Sequence, residues 1–160
     1  MAKKKVGLKV PTANELSKRY GDMIVSASDT KESGLWLPST FFMLNYTFGG
    51  GIPFGKILEV AGEESSGKSL IAYNFAYTTQ QLGGHVIWVD AEQAWMNSWA
   101  QENGVDPNGV TVIRDTRIEN IADALADVAI YWRSQLTHNE PILLVVDSIA
   151  AMDCADNIDS

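Results

Sequence analysis

The residues with the clearest chemistry in this chain form one short stretch. It consists of Gly62, Glu63, Glu64, Ser65, Ser66, Gly67, Lys68 and Ser69. The spacing G-x-x-x-x-G-K-[ST] is that of a phosphate-binding loop, in which glycines let backbone N–H groups curl around phosphate oxygens. Lys68 would contact the β and γ phosphates, and the Ser69 hydroxyl would ligate Mg²⁺. The alternative is a Gly/Ser-rich connection that matches this spacing by chance.

Such a loop requires a strand before it and a helix after it. Residues 56–61 are apolar enough to predict the strand, and residues 70–77 predict the helix. The loop is therefore expected at a helix N-terminus, where unpaired N–H groups and the helix dipole favour an anion.

Two carboxylates follow strand-like runs and are candidates to complete the site. Asp147 follows five apolar residues, and there it would hold Mg²⁺ directly or through water, with Ser148 in the same shell. The alternative for Asp147 is a helix cap. Glu92 lies just past the strand that ends at Asp90 and would orient and deprotonate an attacking water. One alternative is that Glu92 is an ordinary solvated loop residue. Another is that Asp90 is the base.

Three tryptophans lie near these carboxylates in the sequence. Trp88 belongs to a strand-like run and is predicted to pack in the core. Trp95 and Trp99 are spaced four apart, so one of them could lie flat on an adenine ring. Spacing alone favours core packing for each.

Apolar runs and helical patterns alternate along the chain. Continuous apolar runs predict strands at residues 56–61, 85–90, 110–114 and 142–148. The clearest helix opens with a capping box from Thr116 to Glu119. One face of that helix carries Ile118, Ile121, Leu125, Val128 and Trp132. Buried strands separated by helices predict an α/β fold, with a mostly parallel sheet covered on both faces and the ligand at the carboxyl ends of the strands.

The beginning of the chain has a different pattern. Thr12 and Glu15 form a capping box that predicts a helix over residues 12–20, and residues 23–25 predict a short strand. So small a helix–strand unit has little to bury by itself. It is expected either to fold onto the main domain or to dock on another molecule.

A connection separates this unit from the rest. Polar, turn-rich residues at 27–38 predict a linker, and Ser39 is expected to cap a short helix over 40–46. The predicted organisation is therefore a small N-terminal unit with its linker at 1–38 and a core that carries the phosphate-binding loop at 39–160; the family resemblance given below implies oligomerisation for the first and ATPase activity for the second.

Composition limits the class of function. The 160 residues carry a net charge of −8, which opposes gripping a nucleic-acid backbone over the whole surface. Lys3 to Lys5 form the only basic cluster in the sequence, which is more typical of a solvated tail than of a nucleic-acid arm. Cys154 is the single cysteine, in keeping with a reducing compartment, and no apolar run has the length of a membrane span. A cytoplasmic protein is expected.

Together these motifs resemble the RecA recombinase family, in its bacterial and phage UvsX-like forms. The resemblance covers nearly the whole chain and is carried by residues 51–60, 62–69, 89–94 and 145–151. Residues 15–21 are similar to the N-terminal helix by which RecA docks on its neighbour.

The resemblance implies a protein that binds ATP and Mg²⁺ between subunits of a helical filament on single-stranded DNA and promotes strand exchange. By position, Lys68 and Ser69 would contact the phosphates and Mg²⁺, Glu92 would activate water, and Asp147 would be the Walker B aspartate. Trp99 occupies the place where the family stacks an aromatic ring on adenine.

Some residues depart from the family pattern. Glu63 stands where bacterial members usually have proline, and Met96 where they often have aspartate near the adenine. The chain ends at Ser160, about where the family's first DNA-binding loop begins, so an N-terminal fragment with an incomplete sheet and little ATPase activity of its own is expected. Alternatives are a fragment that caps a recombinase filament without catalysis and a RecA-fold motor with another role.

Overall fold

The computed structural model describes residues 12–23 and 34–154. The chain divides into two compact units, 1–33 and 34–160. In the first unit, α1 (Ala13–Tyr20) starts with a reciprocal cap: the Thr12 hydroxyl accepts the N–H of Glu15, and the Glu15 carboxylate accepts the N–H of Thr12. This confirms the predicted capping box and helix.

The strand predicted at residues 23–25 is not found in the described part of this unit, which ends at Met23. Residues Gly21–Met23 form a 3₁₀ turn, so the prediction is wrong for Met23. The other two predicted strand residues, 24–25, lie outside the described residues, as does the basic cluster at residues 3–5.

The second unit alternates helices and strands. Its elements are β1 (Trp36–Leu37), α2 (Phe42–Phe48), β2 (Ile52–Pro53), α3 (Lys68–Gln81), β3 (His85–Asp90), α4 (Asn97–Glu102), β4 (Val110–Ile113), α5 (Ile118–Gln135) and β5 (Ile142–Asp147). Across the described ranges, no helix combines the length and the apolar character needed to cross a bilayer.

A three-stranded parallel sheet in the order β4-β3-β5 forms the centre of this unit. Every residue of β3 is buried, because β3 has a strand on each edge and a helix on each face. A strand in that position has no solvent side, and so its residues between His85 and Asp90 are continuously apolar. The predicted α/β class and parallel sheet are confirmed for these three strands.

Side-chain alternation along β3 shows which helix covers which face. Tyr73 of α3 packs on Trp88, with ring centroids 4.6 Å apart, whereas Trp132 of α5 stacks on His85 at 3.6 Å. His85 and Trp88 are three positions apart, so they point to opposite faces of the sheet. The core on the α3 side contains Tyr73, Ala76, Val86, Trp88, Ala100, Val105 and Val145. The prediction that Trp88 is a core residue is confirmed.

His85 is expected to make the stability of the fold depend on pH. Its ring is buried against Trp132 and shares a hydrogen bond with the Thr111 hydroxyl at 2.8 Å. Burial lowers its pKa, so the unfolded chain binds a proton more readily than the folded chain does. We expect the free energy of unfolding to decline as the pH falls from about 6.5 toward the lower folded-state pKa.

Urea unfolding at pH 7.5 and pH 5.5 measures this effect. The variant His85→Phe retains an aromatic ring but cannot titrate, and it should lose less stability between the two pH values than the unmodified chain. His138→Asn, at an exposed position, is the matched control and should behave as the unmodified chain. An equal acid loss in all three would remove His85 as its source.

Residues 56–61 do not form the predicted strand. They have no regular secondary structure, and Ile57 is 99% exposed. A strand needs neighbouring N–H and C=O groups to pair with, and within residues 34–154 no strand pairs with this segment. Among the described strands β5 pairs only with β3, and its Leu144 is 48% exposed. Apolar composition alone is therefore not sufficient to make a strand here.

The predicted capping box before α5 is also wrong, although the helix itself is present. Arg117 is the N-cap residue and makes no side-chain cap hydrogen bond. The preceding carboxylate of Asp115 instead accepts the N–H of Arg117 and the side chain of Asn120, both at 2.9 Å. These hydrogen bonds, the backbone one first, lower the pKa of Asp115.

The linker predicted over residues 27–38 is wrong near its C-terminal end, where residues 36 and 37 form a strand. Trp36 and Leu37 form β1, which pairs antiparallel with β2. Gly51 permits this pairing, since its φ is +132° and a Cβ there would lie 2.1 Å from the Leu37 carbonyl oxygen. Residues 27–33 of the predicted linker lie outside the described residues.

The helix predicted over residues 40–46 begins later. Ser39 accepts the N–H of Phe41 at 2.8 Å, but α2 starts at Phe42 with Phe41 as an N-cap that lacks a side-chain hydrogen bond. The helix ends at Gly49, which adopts the left-handed conformation with φ +70°.

Candidate functional site

The carboxyl ends of β3 and β5 bring the candidate carboxylates together. Asp90 and Asp147 are paired in the parallel register. Because both strands end at the same edge of the sheet, Glu92 and Ser148 also emerge there. The site therefore lies at the edge of the sheet where ligands of parallel α/β folds are found.

A hydrogen bond joins the loop at 62–69 to the end of β5. The Ser69 hydroxyl, in the first turn of α3, donates to Oδ2 of Asp147 at 2.9 Å. These residues are 78 positions apart in the sequence, and both were proposed from the sequence as Mg²⁺ ligands. The fold places them in direct contact.

The loop itself has the backbone conformation of a turn into a helix. Gly67, the N-cap of α3, has φ +92°, and Ser65 has φ +60°. A Cβ at Gly62 would lie 2.7 Å from the Ser66 hydroxyl oxygen, so any other residue there would require the Ser66 side chain to move. The loop precedes α3 directly, as the sequence predicts.

Lys68 lies across this loop. Its ammonium group donates to the carbonyl oxygens of Gly62 at 3.0 Å and Glu63 at 2.8 Å. An ammonium group has three N–H donors, so two are engaged with the loop and one remains for an anion. The charge is held at the loop by the loop's own backbone.

Glu92 lies beside the end of β5. Its Oε1 accepts a hydrogen bond from the Ser148 hydroxyl at 2.5 Å, and the side chain is exposed to solvent. The peptide bond between Asp147 and Ser148 is cis. Glu92 therefore contacts the residue that follows Asp147, and no described residue donates to its second carboxylate oxygen.

Asp90 has a different environment. It is 2% exposed, and its carboxylate accepts the N–H groups of Ala94 at 2.8 Å and Trp95 at 3.2 Å. It also pairs with Arg114, with Nε 3.3 Å from Oδ2. Because its oxygens are engaged, Asp90 shapes the loop that carries Glu92 and is poorly placed to act as a base itself.

A cavity of about 380 Å³ opens beside the Ser69–Asp147 pair. Its walls contain Ser69, Tyr73, Trp88, Asp90, Ala94, Trp95, Met96, Trp99 and Asp147. Of the loop at 62–69, Ser69 alone appears in these walls. Burial, followed by the charges of Asp147 and Asp90, raises the pKa of Tyr73 to about 12, so its phenol is protonated at neutral pH.

The two loop tryptophans have separate positions. Trp95 packs against Tyr73 and Trp88, with ring centroids at 5.5 Å and 5.0 Å, which agrees with core packing. Trp99 lines the cavity and is 44% exposed, so core packing is wrong for it. An exposed ring on the cavity wall is available to stack on a nucleobase.

The donor set fits Mg²⁺ held together with a phosphate group. No group of three or more His, Cys, Asp or Glu side chains in the described part of the chain could form an all-protein metal site. Mg²⁺ usually takes one or two protein oxygens and completes its shell with phosphates and water. The Ser69 hydroxyl and the Asp147 carboxylate supply such oxygens.

Tyr73 is the site residue that the sequence reasoning missed. Its signal was its position four residues after Ser69, which puts both side chains on the same face of α3. Within the run at 70–77 that predicts the helix, nothing else marks it as a site residue.

The chain is similar in sequence to known proteins over most of its length. The sequence model of the RecA N-terminal domain matches residues 10–160. The chain is similar to protein RecA of Ruminococcus albus, with 36% identity over 127 residues, which is 77% of this chain and 29% of that protein. It is also similar to protein RecA of Clostridium beijerinckii, with 41% identity over 106 residues, 64% of this chain and 27% of that protein.

A third relative is matched over more of the chain. Protein RecA of Bacteroides thetaiotaomicron is 30% identical over 145 residues, which is 88% of this chain and 42% of that protein. The chain thus spans less than half the length of each of these curated relatives.

Proposed function

This chain belongs to the RecA family, and from that premise we propose that it supplies the ATP- and Mg²⁺-binding part of a DNA-dependent recombinase. The observation that carries the proposal is the 2.9 Å hydrogen bond from Ser69 to Asp147. It joins the end of a phosphate-binding sequence to the strand-end carboxylate that such sites use with Mg²⁺.

In the proposed site, each group has a separate role. The loop Gly62–Ser69 directs backbone N–H groups at the phosphates, and Lys68 adds a positive charge. Bound Mg²⁺ would neutralise charge on the β and γ phosphates. Ser69 and Asp147 are the residues that would hold it, and the exposed ring of Trp99 would stack on the adenine.

Glu92 is the proposed general base. Ser148 donates to one of its oxygens and fixes the carboxylate, while the other oxygen stays open to solvent and can accept a proton from a water molecule. The contact with Ser148, the residue after Asp147, supports a position from which this carboxylate would meet a water molecule near the γ phosphate.

The contact with single-stranded DNA is proposed to involve segments other than these 160 residues. The net charge of −8 opposes a broad phosphate-binding surface on this part. The capped helix α1 in the separate N-terminal unit supports docking on a neighbouring subunit to form a filament. We propose a cytoplasmic location, because the proposed substrate is DNA and because a chain with a single cysteine forms no internal disulfide.

Nucleotide binding by the complete protein tests the proposal. We expect a fluorescent ATP analogue to bind in a Mg²⁺-dependent manner and ATP hydrolysis to increase when single-stranded DNA is added. Absence of Mg²⁺-dependent nucleotide binding would refute the proposed function. Binding without DNA stimulation would favour a RecA-fold motor with another role.

A second candidate is supported by the separate N-terminal unit. The 160-residue chain would dock through α1 on a complete recombinase and cap its filament without catalysis. Titrating this chain into a preformed filament distinguishes the two functions. The capping function predicts shorter filaments in the light-scattering signal at substoichiometric amounts, and it predicts the same shortening by the chain carrying Lys68→Ala.

A further inference from the structure

The side chain of Asp90 ties the loop that follows β3 back onto the end of that strand. Its Oδ1 accepts the N–H of Ala94 at 2.8 Å, and the N–H of Trp95 lies 3.2 Å from both carboxylate oxygens. The backbone carbonyl of Asp90 accepts the N–H of Gln93 at 3.3 Å. Asp90 therefore fixes the turn at residues 91–93, and the middle residue of this turn is the candidate base.

The carboxylate of Asp90 is a buried charge beside another carboxylate. It is 2% exposed, and the residue paired with it on β5 is Asp147. Burying a carboxylate is costly unless hydrogen bonds and an opposite charge compensate it. The two backbone N–H groups supply the hydrogen bonds, so the opposite charge must come from another element.

Arg114 supplies that charge from the strand on the other side of β3. Val89 and Ile113 are paired in the parallel register, so the residues that follow them, Asp90 and Arg114, lie at the same edge of the sheet. The Nε of Arg114 is 3.3 Å from Oδ2 of Asp90, and the Arg114 side chain is 55% exposed. Arg114 is not among the residues of the cavity wall, so it affects the site through Asp90 and not by touching a ligand there.

We propose that Arg114 is a positioning residue for the candidate base Glu92. By holding the Asp90 carboxylate, it keeps the turn at residues 91–93 in the conformation in which Glu92 accepts the Ser148 hydroxyl at 2.5 Å. A base must lie within hydrogen-bond reach of the proton that it accepts, and a small displacement of the base slows the reaction. The inference rests on the proposed function, since it concerns the base of the same site.

The variant Arg114→Ala in the complete protein tests this role. Single-turnover hydrolysis should slow about three- to tenfold, a moderate loss because the ion pair is partly exposed. The affinity for ATP with Mg²⁺ should change less than about twofold, since Arg114 is not a proposed contact of the nucleotide or the metal. Arg114→Lys keeps a positive charge within reach of Asp90 and should hydrolyse ATP faster than Arg114→Ala.

Arg117→Ala is the matched control. It removes the same charge three residues later, at the exposed N-cap of α5, and should hydrolyse ATP as the unmodified protein does. The positioning role is wrong if Arg114→Ala and Arg117→Ala hydrolyse ATP at the same rate. It is also wrong if Arg114→Ala loses as much affinity as rate, since that result indicates a general disturbance of the site.

A double variant shows whether Arg114 acts through Asp90. Asp90→Asn removes the charge that Arg114 pairs with and keeps an oxygen that can accept a backbone N–H. In that background Arg114→Ala should slow hydrolysis further by less than about twofold, because the two residues form one interacting pair. Equal slowing in both backgrounds would contradict the role. If Asp90→Asn does not fold, equal rates for Arg114→Lys and Arg114→Ala overturn it instead.

Two further variants separate this inference from the proposed function. If the unmodified protein binds ATP with Mg²⁺ and Lys68→Ala does not, the proposed function stands, and an unchanged Arg114→Ala refutes the inference alone. If Glu92→Gln hydrolyses ATP at the unmodified rate, the inference fails together with the role of Glu92, while nucleotide binding stands. If the unmodified protein shows no Mg²⁺-dependent nucleotide binding, both are overturned.

Discussion

Replacing Lys68 with alanine is expected to reduce ATP binding by the complete protein by roughly 10²-fold and to reduce hydrolysis to background. The ammonium group is the single positive charge held at the loop by the carbonyls of Gly62 and Glu63. Charge-assisted hydrogen bonds to phosphate are each worth about 1.5–3 kcal/mol, which is a factor of about 10–100 in affinity.

Isothermal titration with ATP and Mg²⁺ measures the loss of affinity directly. The matched control is Lys56→Ala, which removes the same charge from an exposed position shortly before the loop and should bind ATP as the unmodified protein does. Comparable affinities for Lys68→Ala and Lys56→Ala would show that the loop does not bind the phosphates as we propose.

The second large effect is expected at Glu92. Glu92→Gln keeps the size of the side chain and its ability to accept a hydrogen bond from Ser148, but it removes the basic carboxylate. Hydrolysis in the complete protein should slow by about two or more orders of magnitude. ATP affinity should be retained, because Glu92 is not among the proposed phosphate or metal ligands.

Single-turnover hydrolysis, measured with protein in excess of ATP, separates this chemical step from nucleotide release. Glu102→Gln is the control, since it makes the same change at the exposed end of α4 and should have no effect. A variant Glu92→Gln that hydrolyses ATP at the unmodified rate would remove Glu92 from the role of base.

Short sequence patterns predicted helices and strands correctly where the residues that pair with them are present in the described structure. Three apolar runs became β3, β4 and β5, and the Thr12–Glu15 box capped α1 as predicted. These features depend on side-chain periodicity and on hydrogen bonds between residues three or four apart. Such interactions can be recognised from the sequence because both partners lie in the same short segment.

Patterns that required a distant partner were less informative. Residues 56–61 have the composition of a strand but remain irregular, because no described strand pairs with them. At the box predicted from Thr116 a distant residue is the partner instead: Ile118 donates its N–H to the Asp153 carbonyl at 3.0 Å, and Asp153 donates its N–H to the Thr116 carbonyl at 2.7 Å. The composition of a segment shows whether it has apolar side chains to bury. Whether it forms a strand depends on an adjacent strand that can pair with its backbone.

The sequence by itself determined the chemical groups of this site: a glycine-turned loop with Lys68 and Ser69, and carboxylates directly after apolar strands. Only the tertiary structure decided which carboxylate has which partners. Asp90 accepts backbone N–H groups and pairs with Arg114, whereas Asp147 accepts a hydrogen bond from the Ser69 hydroxyl. It also revealed Tyr73 in the cavity wall. The reason is that spacing along a chain specifies direction within one element, while the contacts of a side chain depend on the register and packing of elements far apart in sequence.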